Sequence, residues 1–432
     1  MKIMNVKGGY DFLPQEQKIR NYINNILKET FEEYGYNSIE TPILCYYDIL
    51  SDKYDEENDI LKEIYKVSDQ GERQLGLRYD LTVPFAKFIA INKNKIQLPF
   101  KRYEIAKVFR DGPVKVGRDR EFTQCDVDVV GLSGQLIEAE LLALYKNAFD
   151  KLNIDITIKY NSRNLMTGLI LDCEVSEELI SEVTTIIDKI NKITPEEFRD
   201  NLKRIGLTDS QITNLNTNLK LSLKELNEKF TTPNNQYLKT GLEELNNLNT
   251  YLAQLGLSET CVFDSSLARG QNYYTGNVFE VYDKKQRVTG SIGGGGRYDQ
   301  MITNFIDDGE AYPAVGISFG LSSIYEILKN AEESLEESII DLYIIPIGTE
   351  IEALKLANNL RNLKYNVELE MQGRKLKKCL DYANREKIPY VIILGEDELT
   401  SKKVTVKNML DSTKNFELEL TNLATITDRI IK

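Results

Sequence analysis

The spacing of apolar residues divides the chain into segments of contrasting period. Over residues 15–34, Ile19, Tyr22, Ile23, Ile26, Leu27 and Phe31 recur every three or four positions, which predicts an amphipathic helix stopped by Gly35. Residues 37–45 change to a strand pattern, and Pro42, which has no N–H to donate, puts that strand at an edge or an interface. The run 50–62 is acidic and reads as a surface loop. Residues 77–84 read as a strand end opening a helix, with Asp80 and Thr82 set on one side by the two-residue period. Residues 101–109 and 120–130 alternate apolar with polar positions. They predict an antiparallel pair joined by the basic, glycine-containing loop 110–118. On the second strand Phe122, Gln124, Asp126 and Asp128 share a face that is polar where a core would be apolar. With arginines nearby, that face reads as the floor of a binding site.

Further along, 134–152 predicts a helix and 153–160 a strand. From about 172 to 250 glycine is scarce, Asn, Leu, Lys, Glu and Thr dominate, and helical patterns follow one another. That segment reads as a helical insertion with no visible chemistry. The fold resumes at 262–282, then comes a glycine hairpin, then Pro313-Ala-Val-Gly-Ile-Ser-Phe-Gly320 and a helix from about 321 to 332. Beyond the charged run 332–337, buried strands near 341–347 and 390–395 alternate with helices at 350–363 and 375–386 and a strand at 366–370. This predicts a small α/β domain. The domains so drawn are 1–171 with 251–332, the insertion 172–250, and 338–432.

Composition narrows what such a scaffold can do. A chain of 432 residues exceeds one ordinary core, and 41% hydrophobic with 28% charged residues is the balance of a soluble globular protein. No apolar run approaches a membrane span and the N-terminus lacks a signal-peptide core, so a cytoplasmic location and no membrane partner are expected. The cysteines (Cys45, Cys125, Cys173, Cys261, Cys379) show no CxxC spacing, which argues for free thiols. A net charge of −13 disfavours non-specific nucleic-acid binding but leaves room for a local basic surface. The most restrictive count is zero histidines. It excludes Ser-His-Asp and Cys-His machinery, histidine-ligated metals and any imidazole base. Arginine, carboxylate, backbone donors and at most a hard metal ion remain.

Two stretches gather that remainder. Residues 266–276 read Ser-Leu-Ala-Arg-Gly-Gln-Asn-Tyr-Tyr-Thr-Gly, and 290–299 read Gly-Ser-Ile-Gly-Gly-Gly-Gly-Arg-Tyr-Asp. Glycines let backbone lie flat against a ligand, and Arg269 offers a rigid fork of donors to carboxylate or phosphate.

On these residues the chain resembles the histidyl-tRNA synthetase family of class II aminoacyl-tRNA synthetases, over essentially its whole length. Residues 35–42 are similar to the first class II motif, the strand–loop–strand around Arg110 to the second, and 313–328 to the third. The stretches 267–276 and 293–299 are similar to the histidine-specific signatures, and 373–378 and 393–398 to the C-terminal anticodon-binding domain. The resemblance implies an α+β fold: an antiparallel-sheet catalytic domain carrying a helical insertion, then a C-terminal α/β anticodon-binding domain, in a homodimer. It implies ATP-dependent activation of histidine to histidyl-adenylate and transfer to the 3′ end of tRNA(His), with Mg²⁺ bridging phosphates and no metal site of the protein's own. Arg269 and Arg110 would be the catalytic residues, gripping carboxylate and α-phosphate. Asp80, Thr82 and Gln124 would hold the α-amino group, and Asp128 and Tyr274, with Tyr273 beside them, would read the imidazole. ATP would meet Arg110, Arg118, Gln124 and Arg269.

Departures from the family pattern are also legible. Gly112 stands where the second motif carries an acid, Ser323 where the third carries an arginine, and Asn272 where an acid precedes the tyrosine pair. Losing one preorganised cation costs about 10²–10³ in rate unless it is replaced. Arg118, Arg120 and Arg297 are the candidates to replace it. These changes sustain an alternative, a paralogue of the ATP phosphoribosyltransferase regulatory-subunit type that binds histidine without charging tRNA. The complete C-terminal domain and the histidine signatures favour the ligase. For tRNA, Lys115 is the nearest candidate reader of a 5′ guanosine, and Arg374, Lys375, Lys377 and Lys378 form a basic stretch suited to phosphate. A ligase for histidine that contains none could itself be made when histidine is scarce.

Overall fold

A computed structural model describes residues 3–51, 59–114, 119–269, 273–329 and 338–430. The chain divides into two compact units, Met1–Asn330 and Ala331–Lys432. The first is built on eight strands: β1 (Asn37–Ser38), β2 (Phe100–Phe109), β3 (Glu121–Val130), β4 (Ile156–Ser162), β5 (Cys261–Phe263), β6 (Asn277–Asp283), β7 (Gly293–Arg297) and β8 (Ala314–Gly320). Their order across the sheet is β1-β2-β3-β8-β7-β6-β4-β5. The six central strands, β2 to β4 in that order, pair antiparallel throughout, while β1 and β5 add to the edges in parallel.

The two faces of this sheet differ because strand side chains alternate. Cys125, Val127 and Val129 of β3 and Phe319 of β8 point into the main core. There they meet helix α1 (Pro14–Glu33), through Ile23, Leu27 and Phe31, and a second helix (Leu136–Lys151). The Phe319 ring centroid lies 5.5 Å from Phe31, 4.6 Å from Tyr145 and 5.5 Å from Phe149. Each such buried ring contributes roughly 1.5–3 kcal/mol relative to exposure. The residues of β3 in between, Gln124, Asp126 and Asp128, face the other side and form a floor.

Helix α1 starts where local chemistry dictates. Pro14 occupies its first turn, Glu16 accepts from the Leu13 N–H at 2.7 Å, and Gly35 at φ +78° ends it. The expected strand 37–45 is instead two short strands in different sheets. The backbone N–H of Thr41 is taken by Glu104 at 2.9 Å and Pro42 has none to give, so no ladder runs through them. Leu44–Tyr46 joins a separate three-stranded sheet with Gln74–Leu77 and Lys66–Ser68. The expected acidic loop 50–62 contains the ends of two short helices, Tyr47–Ser51 and Asp59–Glu63, with 52–58 outside the described residues.

Between β4 and β5 the chain is helical. Arg163–Asp172 and Gln236–Gln254 pack against each other so closely that a Cβ on Gly168 would stand 2.5 Å from the Leu238 Cα, and one on Gly241 2.5 Å from the Leu165 Cα. Both helices feed Leu165, Leu169, Leu238, Leu242 and Leu245 into the main core. The helices between them build a core of their own around Val183, Ile187, Phe198, Leu202 and Leu215, and Ala268 is buried in it. Three of these helices begin with Ser/Thr-x-x-Glu/Gln capping boxes at Thr194, Thr208 and Ser222.

The second unit holds a five-stranded sheet, ordered Val367–Leu369, Leu342–Pro346, Tyr390–Leu394, Lys403–Asn408, Phe416–Glu419, with Glu350–Asn362 and Leu376–Arg385 among its helices. Arg374, the first residue of the basic stretch, is engaged within the unit. Its Nε donates to Glu370 Oε2 at 2.8 Å, and its guanidinium lies 4.5 Å over the Tyr382 ring. Those bonds hold the Glu370 carboxyl down at about 2 against its burial. Lys375, Lys377 and Lys378 are exposed.

Candidate functional site

The register of the large sheet brings the chemistry together. On β3, Asp128 lies opposite Arg102 of β2 and Gly316 of β8; Asp126 lies opposite Glu104 and Ser318; and Gln124 lies opposite Ala106 and Gly320. Gly294 of β7 pairs with Ser318 on one side and Glu280 of β6 on the other. Above this floor a cavity is lined by Asp80, Thr82, Arg110, Gln124, Asp126, Asp128, Arg269, Tyr273, Tyr274 and Tyr298, with Gly294, Gly295, Gly316 and Ser318 beneath. Residues from four distant segments thus converge, including every expected site residue except Arg118, which lies outside the described residues together with Lys115 and Asn272. Roomier clefts exist, one of them bounded by Tyr160, Asn227, Asn246 and Asn249, but they do not set several carboxylates against several arginines.

Asp80 and Thr82 both reach the cavity, though not by strand alternation. Helix Thr82–Asn92 begins there, and Asp80 Oδ1 accepts from the Val83 N–H at 3.1 Å. Asp80 Oδ2 is buried with no hydrogen-bond partner, as is Gln124 Oε1. Two orphaned acceptors facing one cavity suit a ligand that brings donors, such as an ammonium group. Burial pushes the Asp80 carboxyl up to about 6, against its bond from Val83 and the charge of Arg110. Burial likewise raises Asp126 and Asp128, against Arg102.

Opposite the carboxylates stand two cations. Arg110 donates from Nε to the Tyr79 carbonyl at 3.0 Å and lies 5.0 Å over the Phe122 ring. Arg269 donates from Nη1 to the Phe279 carbonyl at 3.2 Å, with Glu280 Oε1 3.7 Å away and the Tyr274 ring beneath it at 6.0 Å. Burial works against its charge, but Tyr274, Glu280 and Tyr145 outweigh it and hold the guanidinium above its ordinary pKa. Tyr274 is buried, its ring 4.8 Å from that of Tyr273.

The glycine run works differently from the sequence expectation. Residues 293–297 form a central strand, and what they accommodate is the protein itself. A Cβ on Gly294 would overlap the Arg269 guanidinium, one on Gly296 would stand 2.8 Å from the Tyr274 ring, and one on Gly316 would overlap the Asp128 carboxylate. None of these glycines has positive φ; it is space, not backbone freedom, that requires them.

The candidates to replace the third-motif arginine fare unequally. Arg297 is buried against Glu138 at 2.6 Å and bonds Asp299 and two carbonyls, so it serves structure away from the cavity. Arg120 pairs with Asp111 at 3.2 Å. Among the described residues, the cations lining the cavity are Arg110 and Arg269. At Gly112, where the second motif lacks its acid, a Cβ would lie 2.8 Å from Glu63 Oε1: a carboxylate from another segment occupies that space. The sequence places Asp126 on the floor face and Tyr298 within the 293–299 signature without a role for either, and it does not single out Arg102, Ser318 or Glu63. For Arg102 the signal was present, since the alternation that aligns Gln124 with Asp128 also aligns Arg102 with Glu104.

Comparison with known proteins agrees with this geometry. The family model described as histidyl-tRNA synthetase matches residues 8–324, and that described as anticodon binding domain matches 341–429. The chain is 47% identical over 419 residues to histidine–tRNA ligase 1 of Bacillus cereus, covering 96% of this chain and 97% of that one. It is 42% identical over 407 residues to histidine–tRNA ligase 2 of Shouchella clausii, covering 94% and 96%. The histidyl-tRNA synthetase structure from Nostoc sp. PCC 7120 superposes with a TM-score of 0.86 at 29% identity, covering 100% of both chains. The chain belongs to the histidyl-tRNA synthetase family.

Proposed function

We propose that the protein is a histidine–tRNA ligase: it joins histidine to ATP as histidyl-adenylate, releasing pyrophosphate, and then passes the histidyl group to the 3′ end of tRNA(His). The observation that carries this reading is the opposition of Arg110 and Arg269 to Asp80, Asp126 and Asp128 in one cavity. In the proposed complex, Asp80 Oδ2 and Gln124 Oε1 accept from the α-ammonium group, aided by Thr82. Asp128 accepts from the imidazole N–H while Tyr274 donates to the other ring nitrogen, Tyr273 closing the side. The histidine carboxylate then points at the α-phosphorus of ATP between the two arginines.

Attack by one carboxylate oxygen forms the mixed anhydride and expels pyrophosphate. No base is needed, because the nucleophile is already an anion; the protein's part is alignment and neutralisation of the oxygens on the transferred phosphorus. The absence of histidine from the chain is therefore compatible with the reaction. Mg²⁺ enters as part of the ATP substrate, on its phosphates. Among the described residues no group of three or more His, Cys, Asp or Glu side chains converges to hold a metal alone. Arg118 would reach ATP from the loop after Arg110, and Glu63 would supply the carboxylate absent at Gly112.

The same proposal takes 1–171 with 251–332 as the catalytic domain, 172–250 as an insertion and 338–432 as the anticodon-binding domain. It places the protein in the cytoplasm; no described helix is long and apolar enough to cross a membrane. Exposed Ile43, Leu44, Tyr46 and Val67 around the Pro42 segment support a homodimer, to be checked by sedimentation. The decisive experiment is pyrophosphate exchange with ATP and each amino acid. Exchange with histidine alone is expected; histidine binding without exchange would refute the ligase and leave the histidine-binding paralogue.

A further inference from the structure

We infer that Arg102 is a positioning residue for the histidine site: from beneath the floor it holds Asp128 in place as the acceptor for the imidazole N–H. This rests on the proposed reading of Asp128.

Arg102 has no exposed surface and does not line the cavity. Its guanidinium lies 4.3 Å over the Phe85 ring, and its Nη2 donates to the Leu81 carbonyl at 3.2 Å. The same Nη2 stands 2.6 Å from Asp128 Oδ2, an ion pair whose angles fall short of a hydrogen bond. Glu104 is 3.8 Å off, its Oε1 already taken by Arg78 at 3.0 Å and by the Thr41 N–H at 2.9 Å. Arg102 Nε and Nη1 have no hydrogen-bond partner.

A fully buried arginine so sparsely bonded is a cost to the fold; an apolar chain of the same length could lie against Phe85 without it. What an apolar chain could not supply is a fixed positive charge behind Asp128. The Tyr298 hydroxyl donates to Oδ1 while Arg102 faces Oδ2, so the carboxylate is held at both oxygens. Its surroundings otherwise oppose ionisation. Burial raises Asp128 with the help of Glu104, Asp126 is raised beside it, and the charge of Arg102 is the largest influence in the other direction on both. Asp80, Arg110 and Arg269 face the pair across the cavity. Without Arg102 the Asp128 carboxyl would take up a proton, and a protonated, rotating acid is a poor acceptor for a ring N–H.

The test is a double-mutant cycle with Arg102→Met and Asp128→Asn, read as histidine and ATP KM in pyrophosphate exchange. Removing one partner of a buried pair should raise the histidine KM by about tenfold or more. The ATP KM should move by less than about threefold, and so should the histidine KM when Arg102→Met is added to Asp128→Asn. Equal rises in both KM values, no rise in either, or an undiminished effect in the Asp128→Asn background would overturn the inference. If Asp128→Asn alone leaves the histidine KM unchanged, it is the reading of Asp128 that fails, and the inference goes with it. Should the Met variant not fold, Arg102→Gln, which also removes the charge, decides. A rise in histidine KM at constant ATP KM supports the inference, and no change refutes it.

Discussion

Replacing Gly294 by alanine tests the site with a single methyl group. An ideal Cβ there would stand 2.6 Å from Arg269 Cζ and 3.0 Å from Nη2, with Nη1 closer still. The obstructing atoms are the far end of a flexible side chain, so the sheet can stay intact while the guanidinium swings away. That movement breaks its 3.2 Å bond to the Phe279 carbonyl. Overpacking of this kind costs roughly 1–3 kcal/mol in the fold, at the low end when a chain tip can yield. The loss in catalysis should be larger, because displacing one preorganised cation costs about 10²–10³ in rate, or roughly 2.7–4 kcal/mol. Gly295→Ala is the control. Its Cβ would stand 2.7 Å from the Ile317 Cα and closer to the Gly316 carbonyl, backbone that can yield only if β7 and β8 part. Exchange with histidine, read beside a thermal melt, should show Gly294→Ala folded and slow, and Gly295→Ala unfolded. A folded Gly294→Ala that exchanges within about threefold of the parent would refute the role given to Arg269, since that loss is far below one cation's contribution.

Arg269→Ala should lose about 10²-fold or more in kcat/KM for exchange and keep its melting temperature, the direct counterpart of the Gly294 test. The raised Asp80 pKa gives a pH signature. Its ionised form is the one that binds ammonium, so histidine KM should rise about tenfold per pH unit below about 6, and Asp80→Asn should abolish that slope. The stability sign is the reverse of a paired carboxylate: because the folded pKa lies above the unfolded one, ionising Asp80 weakens the fold as pH rises from about 4 to about 6. Gly168→Ala drives a Cβ against the Leu238 backbone and should destabilise the first unit by about 3 kcal/mol or more in a denaturant titration. Glu63→Gln should raise the KM for ATP and leave that for histidine unchanged; an unchanged ATP KM would remove Glu63 from the nucleotide site.

What the sequence disclosed was set by local signals. Helix α1 and the β2–β3 pair were legible because period and alternation are written in neighbouring residues. The described site residues carried by the family resemblance are brought to one cavity; Arg118 lies outside the described residues. What stayed hidden was set by contacts between segments far apart in the chain. Nothing near Gly294 announces Arg269 as its neighbour, and nothing near Gly112 announces Glu63. Gly168 and Gly241 look like weak points in helices until the helices are crossed against each other. Thr41 and Pro42 looked like strand because the Glu104 carboxylate that captures the Thr41 N–H lies 63 positions downstream.

The glycines of β7 and β8 also constrain how this pocket could change over generations. The volume missing from Gly294 and Gly296 of β7 is filled by Arg269 and Tyr274, and that missing from Gly316 of the neighbouring β8 by Asp128. A larger residue at any of these glycines displaces its occupant, and at Gly296 it also meets the Asn277 carbonyl at 2.8 Å; shrinking the occupant first empties the site. Each route to a new amino-acid specificity through these strands therefore passes a two-residue barrier with a non-functional intermediate. Selection acting one substitution at a time would find the pocket closed to redesign from this side, while the outward-facing helices of the same unit remain free to drift.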